Sequence, residues 1–96
     1  MSCHQNKSFN NAAKEGHLSV CQLIIENVQD KNPKGQNGWT PLHLAAERGH
    51  FEVCKLIIEV VEDKNPATKP GDTPLELARA YGHQQIVNLI KAKMEE

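Results

Sequence analysis

Five histidines and three cysteines are the residues of this 96-residue chain with the chemistry to hold a metal or attack a substrate. Zinc takes imidazole and thiolate ligands within about 2 Å of the ion, so the ligands must converge on one point. His17, His50 and His83 are instead spaced 33 residues apart, and Cys21 and Cys54 keep the same step. Equal spacing puts them at equivalent points of successive units, about one helix-packing distance of ~8–10 Å apart. A ladder at that separation cannot share an ion. The expectation is that these imidazoles hydrogen-bond loop backbone in each unit, as buried polar groups do. His43 belongs to a different helix from His50, across Gly49, and His4 lies in a polar leader expected to be mobile.

The cysteines read the same way. Cys21 and Cys54 occupy equivalent apolar positions, where a buried thiol is an inert small hydrophobe. At unit separation they exceed the ~7 Å Cα limit of a disulfide. Cys3 is the thiol expected to oxidise first. No glycine-rich phosphate loop, G-x-S-x-G elbow or C-x-x-C pair is present. The chain is therefore read as no enzyme, with no metal and no cofactor.

What positions these residues is a repeat. Gly16, Gly49 and Gly82 share the 33-residue step, as do Ala12, Ala45 and Ala78, and Leu23, Leu56 and Leu89. Asp30-Lys31-Asn32-Pro33 returns whole as Asp63-Lys64-Asn65-Pro66, and Thr40-Pro41-Leu42 as Thr73-Pro74-Leu75. The local chemistry predicts a helix pair per copy. Thr40 is a good N-cap, Pro41 suits the first helical position, and Gly49 supplies a left-handed stop. A second helix carries Phe51, Val53, Cys54, Leu56, Ile57 and Ile58. A polar stretch with Pro66 and Gly71 then turns the chain into the next copy.

The second copy, Gly38-Trp39-Thr40-Pro41-Leu42-His43-Leu44-Ala45-Ala46-Glu47-Arg48-Gly49-His50, resembles the ankyrin repeat in period and in its T-P-L-H-x-A signature. The resemblance covers nearly the whole chain. It implies an all-α solenoid of three stacked helix-turn-helix repeats with hairpin-like connecting turns, forming a single domain over 1–96. The repeats fall at 5–37 (N-terminal cap), 38–70 (centre) and 71–96 (C-terminal cap). About three copies are the usual minimum for such a stack.

The copies differ at the ends. Leu18 and Phe51 correspond to Gln84, and Ile25 and Ile58 to Lys91, so the face that would meet a fourth copy has become polar. Asn10 and Asn11 stand where the second copy has His43 and Leu44. Both ends are expected to be finished, as capping repeats require. The family usually stops its outer helix with Gly two residues after the position of Glu26 and Glu59, where this chain has Val28 and Val61. A β-branched residue resists the left-handed conformation, so the outer helices are expected to run on to about Gln29 and Glu62.

The composition is that of an ordinary soluble domain, 39% hydrophobic and 24% charged, with one Trp, one Tyr and two Phe. A net charge of −1 speaks against nucleic acid, whose binding rests on clustered Lys and Arg. No apolar run approaches the roughly 18–20 residues of a membrane span, and the polar start shows no signal peptide. Reduced thiols in the cytoplasm are the simple expectation for three cysteines.

Function follows from the resemblance. It implies another protein as partner, held on a concave face of turn tips and first helices, by a chain expected to be monomeric. Carried over by position, that face comprises Gln36, Asn37 and Trp39, then Lys69 and Asp72. On the short helices it takes Lys14 and Glu15, Glu47 and Arg48, Ala80 and Tyr81. Trp39, Arg48 and Tyr81 are of the types that dominate interface energetics, although Trp39 could equally stack inside its turn. The alternative is a structural spacer, or part of a longer array with no partner of its own. The family also includes members hydroxylated on an Asn of the inter-repeat turn, a position that Asn32 and Asn65 match. His43 is implied in hydrogen bonding between repeats, and Glu76 replaces it in the third copy.

Overall fold

The computed structural model describes the backbone of residues 2–95 and the side chains of 9–95 except that of Gln36; the side chains of Cys3, His4 and Gln36 lie outside the described residues. Among the described residues six α-helices follow one another: α1 (Ser2–Glu15), α2 (Leu18–Asn27), α3 (Pro41–Arg48), α4 (Phe51–Val60), α5 (Pro74–Ala80) and α6 (Gln84–Met94). A 3-10 turn, Gln36–Gly38, sits in the connection before α3. Among the described residues there is no strand, and no helix is long and apolar enough to cross a membrane.

The caps form as their chemistry dictates. Thr40 is extended, and its hydroxyl accepts the His43 N–H at 3.3 Å; Thr73 does the same for Glu76 at 3.2 Å. Gly49 stops α3 at φ 82°, in the left-handed region. The next N–H, on His50, then reaches back to the Ala45 carbonyl at 2.9 Å. His17 to Ala12 and His83 to Ala78 repeat that bond at 2.9 and 2.8 Å.

The helices form two layers. α1, α3 and α5 lie side by side, each paired with the outer helix that follows it, and α2, α4 and α6 form the second layer. The inner layer packs on Ala12, Ala13, Ala45, Ala46 and Ala78, all buried. Side chains that small let helix backbones approach closely. Cys21, Ile25, Cys54, Ile57, Ile58, Val87 and Ile90 fill the space between layers. Leu56 is only half-buried and packs against this core, Ile57 beside it being fully enclosed.

The polar leader forms the start of α1; no Gly or Pro interrupts the chain before Gly16. One expectation is corrected here. The outer helices do not run on to Gln29 and Glu62 but stop at Asn27 and Val60. The premise held and the conclusion failed. Val28 (φ −118°, ψ 154°) and Val61 (φ −105°, ψ 154°) leave the helix through extended backbone, which β-branched residues favour, and not through the left-handed region.

The ends are unlike one another. Gln84 and Lys91 are exposed on the C-terminal face, as the polar substitutions require. On the N-terminal side α2 is not polar: Val20 and Leu23 are exposed.

Candidate functional site

Each residue of the Asp-Lys-Asn-Pro turn has a separate task. Asp30 Oδ1 accepts the Asn32 N–H and Asp63 Oδ1 the Asn65 N–H, both at 3.2 Å. This closes the turn on itself. Lys64 Nζ donates to the Ile58 carbonyl at 2.8 Å and to the Val61 carbonyl at 2.5 Å. Lys31 does likewise for Ile25 and Val28. A cation thus satisfies the open carbonyls of an outer helix that has no glycine stop. Asn32 and Asn65 accept the N–H groups of Leu42 and Leu75 at 3.2 and 3.1 Å, tying each turn to the next inner helix. Pro33 and Pro66 are buried. Reasoning from residue types found the turn and missed the lysine; the signal was there, in a tetrapeptide repeated without change.

The hairpin tips are built by backbone. Gly35 N–H donates to the Trp39 carbonyl at 2.6 Å, and Thr68 N–H to the Asp72 carbonyl at 2.9 Å. Asn37 takes the left-handed φ of 59° at its tip, which Asn tolerates better than most residues. Consecutive tips are joined, since Lys69 N–H donates to the Asn37 carbonyl at 2.9 Å.

His43 braces the stack. It is fully buried. The Thr40 N–H donates to its Nδ1 at 3.1 Å, so Nδ1 is the acceptor and Nε2 carries the proton toward the Asp72 carbonyl at 3.0 Å. Burial pushes its pKa below the ordinary value, against smaller raising effects from the Asp72 and Pro66 carbonyls and nearby carboxylates. The inter-repeat role is therefore real in the second copy. In the third copy, Glu76 keeps the cap on Thr73.

The other histidine ladder also bonds between copies, not within them. His50 Nε2 lies 2.9 Å from the Lys14 carbonyl, and His83 Nε2 3.1 Å from the Glu47 carbonyl. The expectation of loop bonds inside each repeat is corrected by that geometry. Among the described residues no group of three or more His, Cys, Asp or Glu side chains converges. Burial pushes the Cys21 thiol up to about 11 and the Cys54 thiol to about 12, so both are protonated at neutral pH.

The residues picked out for contact fall as follows. Asn37, Lys69 and Asp72 are exposed on the two joined tips. Trp39 is half-buried, its ring centroid 5.5 Å from that of His43 at 53°, so it packs inside the turn while keeping one side outward. Lys14 and Glu47 are half-buried, and Glu15 and Arg48 exposed, at the C-terminal ends of α1 and α3. Arg48 Nε meets Glu47 Oε1 at 3.4 Å. Tyr81 is the residue that caps α5 and is 58% exposed. The structure thus joins Asn37 to Lys69 through backbone and Glu47 to Arg48 through side chains.

A family model of ankyrin repeats, in three copies, matches residues 9–95. No curated protein matches the chain.

Proposed function

The chain belongs to the ankyrin-repeat family, and we propose that it holds a partner protein against its turn tips and the exposed ends of its inner helices. Ankyrin repeats are in general protein–protein interaction modules. The observation that carries the reading here is a division of labour within each repeat. Thr40, His43, Asn32, Asn65 and the tip backbone do the bracing. Asn37, Arg48, Lys69, Asp72 and Tyr81 are exposed beside them. Such side chains stand on a preorganised backbone, which lowers the entropy that binding costs.

The proposed contact set is Lys14, Glu15, Gln36, Asn37, Trp39, Glu47, Arg48, Lys69, Asp72 and Tyr81. Its charges are of both signs, which suits a protein segment of mixed charge and not a phosphate backbone. Protonated, enclosed thiols and carbonyl-bound imidazoles are poor nucleophiles and bases, which supports a binding role. Free Cys21 and Cys54 fit a reducing, cytoplasmic setting.

The test is quantitative affinity capture with the wild-type chain beside an Arg48→Ala, Tyr81→Ala variant, both sites being exposed. Proteins held by the wild type and lost from an equally stable variant support the reading. Identical capture by both would remove these two residues from the contact face. Nothing specific in either would favour the spacer.

A further inference from the structure

The outer helices carry one apolar stripe three times. Val20, Leu23 and Ile24 of α2 correspond to Val53, Leu56 and Ile57 of α4, and to Ile86, Leu89 and Ile90 of α6. In the later copies the stripe is largely covered: Val53 and Ile86 are 1% exposed, Ile57 and Ile90 are 0% exposed, and Leu56 and Leu89 are half-buried. In α2 the same positions open out, with Val20 45% and Leu23 62% exposed and Ile24 half-buried. Residue type has hardly changed. The difference is that α4 has α2 before it and α6 has α4.

A polar contact repeats the pattern. The rings of His50 and His83 each meet a carbonyl at the end of the preceding inner helix, Lys14 or Glu47. The ring of His17 is exposed and meets no carbonyl among the described residues. One face therefore shows an uncovered apolar stripe and, beside it, an imidazole of the kind that pairs with a helix-end carbonyl.

We propose that this end of the array binds an amphipathic helix of a partner protein, with apolar residues at i and i+7, entered through a tight turn that offers a backbone carbonyl to His17. The two covered copies of the stripe define that chemistry. The covering helices present Leu18 with Ile25, and Phe51 with Ile58, at spacings of seven. Ile25 and Ile58 are buried where a following copy exists, and Lys91, in the same place without one, is exposed. Phe51 borders the same cleft as Leu89.

A second copy of this chain fits less well. Stacked head to tail it would bring Gln84 and Lys91 onto Leu23 and Val20, burying an unpaired charge. Paired α2 to α2 it would leave each His17 without the carbonyl that His50 and His83 have. This surface is distinct from the turn tips, so its test does not depend on theirs.

The probe is a peptide spanning 46–62, which includes the Glu47 carbonyl that His83 meets, held helical by a lactam between Lys55 and Glu59, both exposed in α4. It is titrated into the labelled full chain and followed by backbone NMR. Saturable shifts are expected at His17, Val20, Leu23 and Ile24. Leu23→Lys, at an exposed position that leaves folding intact, should weaken the binding about tenfold or more, because a charge would be buried. A control peptide with Phe51→Gln and Ile58→Lys should leave those resonances unmoved. Absence of shifts, shifts centred on the turn tips, or equal binding by Leu23→Lys would overturn the proposal. So would self-association of the chain alone that Leu23→Lys abolishes, which would give the face to a second copy.

Discussion

The imidazole of His83 is seated on Gly49: a Cβ added to that glycine would lie 2.6 Å from His83 Cε1. Gly16 and His50 stand in the same relation, with 2.6 Å to His50 Nδ1. The glycine that stops one inner helix is thus also the floor on which the next repeat rests its histidine. Gly82 has nearly the same backbone, at φ +79°, but nothing within 4 Å of the added Cβ.

That difference separates two costs. Gly82→Ala should lose only the left-handed penalty, about 1–2 kcal/mol. Gly49→Ala should lose that and a further overpacking cost of about 1–3 kcal/mol, from displacing His83. Urea unfolding of the two variants measures the gap; equal losses would show that His83 shifts freely.

Lys64→Ala should destabilise the chain by about 1–3 kcal/mol, since the carbonyls of Ile58 and Val61 lose a charged donor. Lys91→Ala, exposed on the C-terminal face, should change stability by no more than about 0.5 kcal/mol. Thermal melts of both settle whether Lys64 is a structural cap.

At Val61 the backbone is extended, with φ −105°, so there is no left-handed strain for glycine to relieve. Val61→Gly should cost about 0.5–1 kcal/mol through backbone entropy, plus the packing of a half-buried side chain. A rise in melting temperature would contradict the extended exit from α4.

Ile57→Ala should cost about 2–5 kcal/mol, the range for a fully enclosed large aliphatic residue. Leu56→Ala, half-buried, should cost clearly less. Chemical denaturation of the pair checks which neighbour carries the contact between layers.

His43 makes stability depend on pH. Its folded pKa is depressed by burial, so the unfolded chain binds the extra proton more readily and acid favours unfolding. The stabilisation it gives is whole above the unfolded value of about 6.5 and is lost as pH falls below it toward the folded pKa. Melting temperatures between pH 7.5 and 5 should fall more steeply in the wild type than in His43→Gln. Parallel curves would mean that His43 keeps an ordinary pKa.

Much of the architecture was legible in residue types. The 33-residue step of Gly49 and its equivalents, Thr40 with Pro41, and the alanines of the inner helices each state a local preference that nothing in the tertiary structure opposes. The polar Gln84 and Lys91 marked the C-terminal face equally well. The candidate contact residues were legible only as positions: Tyr81 and Arg48 are exposed as expected, whereas Trp39 divides itself between its own turn and the outside.

What residue types could not decide was where groups distant in the chain meet. Val28 and Val61 announced the absence of a glycine stop, and the unchanged Lys31 and Lys64 carried the local signal for what satisfies the open carbonyls three and six residues earlier. His50 and His83 carried a period, and only stacking chose the carbonyls of Lys14 and Glu47, 36 residues away, as their partners. Val20 and Val53 are the same residue in the same register, one exposed and one enclosed. Local conformation depends on a few neighbouring side chains and can be read along the chain; burial depends on what else occupies the space, and that is settled only when the helices pack.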